Sequence, residues 1–98
     1  MTVAQKTYPH SQAFVLNVAN EIVEMHKAKL TDYDEERLSF TTEMYGQITH
    51  YQFRVTKLPE GGSTVEVSSD TEGDSGNRQV SLILAMFDNI LSSFSEAL

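Results

Sequence analysis

Three histidines, His10, His26 and His50, are the side chains in this sequence best suited to bind a metal or move a proton. Two ligands on one helix face need an i,i+4 His pair or a His–Glu spacing, and none of the three is placed that way, so no metal site is expected. The chain has no Cys, which excludes disulfides, thiolate catalysis and cysteine-ligated zinc or iron–sulfur centres. Asp70, Glu72 and Asp74 put carboxylates at alternate positions, as in a calcium loop. Counting Asp70 as the first position, however, places Ser75 where the turn glycine belongs and Ser81 where the bidentate glutamate belongs. The stretch reads instead as an acidic loop leading into a capped helix. There is no G-x-S-x-G elbow, Walker loop or G-x-G-x-x-G, and the acids around Gly73 and Gly76 would repel phosphate. No catalytic residue, metal or cofactor is therefore expected, and the chain reads as non-enzymatic.

Three sets of residues could instead do recognition. Phe40, Phe53 and Phe87, with His26 as a polar anchor, could line an apolar pocket between helix and sheet. Leu82 and Met86 form an i,i+4 apolar pair lying off the main stripe of their helix; either they pack on the first helix or they mark an association surface. His50, Gln52 and Arg54 lie on the polar side of a strand, as a recognition surface or as an ordinary solvated face.

The elements that position these residues follow from periodicity. From about Pro9 to Leu30, Val15, Val18, Ala19, Ile22, His26 and Leu30 recur with helical period, with Asn17, Asn20, Glu21, Glu24 and Lys27 opposite. Pro9 suits a first turn, and Lys27 and Lys29 suit the negative end of the helix. Thr31 to Asp34, with Glu35 and Glu36, reads as a solvated loop. The period then becomes two: Leu38, Phe40, Thr42; Tyr51, Phe53, Val55; and Val65, Val67 alternate with polar neighbours. Tyr45-Gly46 and Pro59-Glu60-Gly61-Gly62 reverse the chain between these strands, and connections so short require antiparallel pairing. Helical period returns from Ser75 or Gly76 to Leu98, where Val80, Ile83, Leu84, Phe87, Ile90, Leu91, Phe94 and Leu98 form a broad stripe, with Asp74 or Ser75 as the cap. The expected fold is α+β in the order α-β-β-β-α, a three-stranded antiparallel meander with two helices on one face. Residues 1–8 are expected to be a flexible tail and residues 9–98 the single domain.

With 98 residues the chain makes one domain with a modest core, and 40% hydrophobic content is that of a folding sequence. Fourteen acidic residues against seven basic ones give a net charge of −7, the wrong sign for nucleic acid or an anionic membrane surface. No secretory leader or spanning segment is evident, so a cytoplasmic location is the default.

Val65-Glu66-Val67-Ser68-Ser69, followed by Gly73-Asp74-Ser75-Gly76-Asn77 and an apolar helix, resembles a family of small bacterial domains of unknown function. In that family a strand ending in serine leads through a Gly-Asp-Gly-Asn type turn to the last helix. Asp70 and Glu72 stand where basic residues are expected there, and the resemblance implies no activity. The α-β-β-β-α order is also similar to a shortened START-like helix-grip, which implies a C-terminal helix roofing a ligand cavity over a curved sheet. Three strands are too few to wrap a large cavity. The leading expectation is a protein–protein interaction or homodimerisation domain, with unpaired sheet edges adding to the case for a homodimer; the alternative is a small-molecule binding module for an apolar ligand.

Overall fold

The computed structural model describes residues 2–25, 28–34, 36–44 and 47–95, the side chains of 33, 43, 44, 47, 94 and 95 excepted. In chain order the elements are β1 (Thr2–Tyr8), α1 (Gln12–Met25), β2 (Lys29–Tyr33), β3 (Arg37–Met44), β4 (Gln47–Lys57), β5 (Ser63–Ser69) and α2 (Gly73–Ser95). The strands form one antiparallel sheet in the order β1-β5-β4-β3-β2, with both helices on one face.

The meander and its turn follow the expected logic. Phe40 lies opposite Tyr51, and Leu38, Phe53 and Val67 form a row across β3, β4 and β5. In the β4–β5 connection the Leu58 carbonyl accepts from the Gly61 N–H, while the Leu58 N–H donates to the Gly62 carbonyl. Gly61 takes φ 102° there, the left-handed backbone that glycine adopts without penalty. The Tyr45-Gly46 reversal lies outside the described residues.

Five strands, rather than three, make the sheet. Residues expected to be a tail form β1, which pairs with β5 from Thr2 opposite Ser69 to Tyr8 opposite Ser63. The strand gave no amphipathic signal because the residues facing the helices, Thr2, Ala4, Lys6 and Tyr8, are mostly polar. Helix α1 is described from Gln12 to Met25 rather than to Leu30, and Lys29, Leu30 and part of the expected acidic loop form β2. The ladder to β3 outweighs the helical pattern there, with Leu30 opposite Phe40 and Tyr33 opposite Leu38. Lys29 is consequently a strand residue, and Lys27 lies outside the described residues.

Helix ends are capped locally. The Ser11 hydroxyl accepts from the Phe14 N–H at 3.3 Å, so α1 begins after Ser11 rather than at Pro9. Helix α2 starts at Gly73, ahead of the expected Asp74 or Ser75 cap, with Gly73 at φ 74°. One turn on, a Cβ at Gly76 would collide with the Thr71 carbonyl and the Thr2 hydroxyl, so glycine lets β1 seat against the start of α2. The core between the layers is formed by Val15, Val18, Ala19, Ile22 and Val23 of α1, Val80, Ile83, Phe87 and Leu91 of α2, and the inward residues of the sheet.

Candidate functional site

The first expected site is a packed set of rings. Phe40 stacks on Tyr51 at 5.3 Å between ring centroids and tilts against Phe53 at 4.8 Å; Phe53 meets Phe87 edge-on at 5.1 Å. Offset and edge-to-face contacts at these distances are those of aromatic side chains filling a core. Phe53 and Phe87 have no exposed surface. Three of the four expected pocket residues are thus brought together, and a ligand entering between α2 and the sheet would have to part the Phe53–Phe87 contact. His26 lies outside the described residues.

The pair on α2 divides. Leu82 is 54% exposed, whereas Met86 is half-buried and packs against the core. The pair is therefore not one continuous exposed patch, and Met86 serves the domain's own packing. From Gln79 to Ser93 the helix carries a single charged residue, Asp88. That carboxylate points toward β1, so the exposed face is uncharged from Leu82 to Ser93, with the exposed Arg78 one turn before Leu82 as its boundary.

Asp88 organises a site that sequence reasoning missed. Its Oδ2 accepts from Lys6 Nζ at 2.8 Å and its Oδ1 from the Tyr8 hydroxyl at 2.9 Å. Lys6 Nζ also lies 5.8 Å from the Tyr8 ring centroid. The Lys6 hydrogen bond holds the Asp88 carboxyl below the usual carboxylate range, burial opposes this, and the Tyr8 hydrogen bond adds to it. Burial, then the neighbouring carboxylate, pushes the Tyr8 hydroxyl well above its ordinary value. The group ties β1 to α2. The only available signal was Lys6 and Tyr8 two residues apart before Pro9, with their partner some eighty residues away.

The contacts described along the polar sheet face run to near neighbours in the sheet and its loops. The His50 backbone N–H donates to Asp70 Oδ1 at 3.2 Å, and the Asp70 N–H returns a bond to the His50 carbonyl at 3.1 Å. Gln52 Oε1 accepts weakly from the Ser39 hydroxyl at 3.5 Å, and Arg54 lies 4.0 Å from Glu36. Asp70, first residue of the calcium-like stretch, thus closes the end of the β4–β5 ladder. Beside it, Ser69 Oγ donates to Gln79 Oε1 at 3.0 Å and accepts from the Thr71 N–H. Among the described residues no three His, Asp or Glu side chains are grouped to hold a metal ion. No described helix is long and apolar enough to cross a membrane.

These features define a two-layer α+β domain whose exposed helix face is uncharged beyond Arg78, with an edge strand fastened to that helix. No protein-family model and no curated protein matches the chain. Among solved structures it is similar to the crystal structure of Ara h 8.0201, with a TM-score of 0.44 and 10% identity, covering 89% of this chain and 91% of that one.

Proposed function

We propose that this domain works by protein–protein association, without enzymatic chemistry, and that the exposed face of α2 around Leu82 is the contact surface. The observation that carries this reading is a large apolar side chain, Leu82 at 54% exposure, on a helix face that carries no charge from Leu82 to Ser93 and is bounded one turn back by the exposed Arg78. Contact surfaces are distinguished by depletion of charge around an apolar centre more than by bulk hydrophobicity. Met86, half-buried beside it, gives the patch a fixed base.

The test is affinity capture from cells with the wild-type chain and with Leu82→Glu, both first checked for native far-UV circular dichroism. A partner held in fixed stoichiometry by the wild type and lost from the variant supports the reading. The same partners recovered with both chains would contradict it. A small molecule retained in the native mass spectrum would favour the apolar-ligand module instead.

A further inference from the structure

We propose that the outer edge of β1, which no described strand pairs, joins β1 of a second copy, antiparallel and centred on Gln5, making the two sheets one. This goes beyond the α2 reading and rests on different residues, so either can fail alone.

The β1 edge lacks the usual guards. Strands at sheet margins avoid edge-to-edge pairing by being short, bulged or charged. Strand β1 runs in unbroken register along all seven residues and contains no acid. Its one charge, Lys6, is neutralised by Asp88 and held against α2. The opposite edge, β2, has five residues, a register shift between Leu30 and Asp32, and charges at Lys29 and Asp32. On a chain of net charge −7, the β1 margin is a neutral approach for a second copy.

The register is self-complementary. With Gln5 opposite Gln5 of the second copy, Ala4 meets Lys6, Val3 meets Thr7 and Thr2 meets Tyr8, so every residue of β1 is paired and no like charges oppose. Centring on Lys6 would set two lysines against each other, which destabilises a sheet. A two-fold axis at a residue also keeps inward side chains on the helix side in both copies.

Helix spacing agrees. Helix α2 packs over β1 and β5. With strands about 4.8 Å apart, two such helices flanking a β1–β1 junction lie about 10 Å apart, the separation of packed helices. The flank of α2 that faces this way is fixed by Asp88, and helical period places Ser81, Ala85 and Ser92 beside it, all exposed. Small side chains there leave room for the second helix.

Single-cysteine crosslinking of the full chain tests this, because it has no cysteine of its own. Opposed residues of an antiparallel pair have Cα atoms about 4.5–5.5 Å apart, within reach of a disulfide. Under mild oxidation Gln5→Cys is expected to give a covalent dimer, while Val3→Cys and Leu82→Cys remain monomeric. In sedimentation, Gln5→Lys is expected to weaken the dimer by up to about fivefold, the effect of one like-charge cross-strand pair. A wild-type chain monomeric at about 100 μM, above the micromolar end of the range for specific interfaces, would overturn the proposal. So would Gln5→Cys crosslinking no better than Val3→Cys. Crosslinking through Leu82→Cys alone would overturn the β1 pairing while leaving association through the α2 face standing.

Discussion

The two edges of the sheet are finished by different means. At β2 the ladder is broken by a register shift, and the turn into β3 is clamped by Asp34, whose Oδ1 accepts from the Glu36 and Arg37 N–H groups and whose Oδ2 accepts from the Arg37 side chain. At β1 the ladder is regular, and the fastening is made inward, from Lys6 and Tyr8 to Asp88 on a helix far along the sequence. A locally clamped, irregular edge resists further pairing; a regular edge whose charge is neutralised from within leaves its outer backbone groups available. The difference lies in regularity and charge: β2 is shifted in register and carries Lys29 and Asp32, whereas β1 is regular and its one charge, Lys6, is paired with Asp88.

The largest expected effect comes from the ring that joins the two halves. Phe87→Ala removes the edge-on contact with Phe53 on β4 and should cost about 3–5 kcal/mol in denaturant unfolding. Against the marginal stability of a small domain, that should loosen both edges together. Protection from hydrogen exchange lost at β1 alone would mean that the halves are less coupled than the packing implies.

Asp88→Ala separates the edges. Losing the two bonds to Lys6 and Tyr8 should cost about 1–2 kcal/mol, at the lower end for charged hydrogen bonds because the carboxylate is partly in solvent. The β1 amides should exchange faster while those of β2 are unchanged.

Acid should act on both edges. Asp88 and Asp34 are each held below the usual carboxylate value, Asp88 first by Lys6 and Asp34 first by the Glu36 N–H. A lowered folded-state value gives stabilisation that is present above the unfolded pKa of about 4 and fades as pH falls through the folded value. An exchange series down through that range should therefore loosen β1 and β2 in the wild type, with the β1 contribution absent from Asp88→Ala. The smallest effect is expected for Asp34→Ala, whose bonds are exposed: faster exchange at β2 and the β2–β3 turn, with little change in the unfolding midpoint.

How much was legible in the sequence follows the same division. Strands β3, β4 and β5 announced themselves because apolar residues such as Leu38, Phe40, Tyr51, Phe53, Val65 and Val67 alternate toward one buried face. The stripe of α2 likewise placed Phe87 against Phe53. Strand β1 was hidden because its inward face holds Thr2 and Lys6, whose role depends on Asp88. Strand β2 was hidden because five residues with two charges and a register shift carry no clean period. Leu82 and Met86 were visible as an oddity, but which of them is exposed depends on tertiary packing that an angle on a helical wheel does not supply.

Amide exchange of the full chain at low and high protein concentration addresses the contrast between the edges most directly. Protection that rises with concentration at Thr2–Tyr8 and stays constant at Lys29–Tyr33 is the predicted result. Protection independent of concentration at both edges, or rising at Lys29–Tyr33 instead, would contradict it.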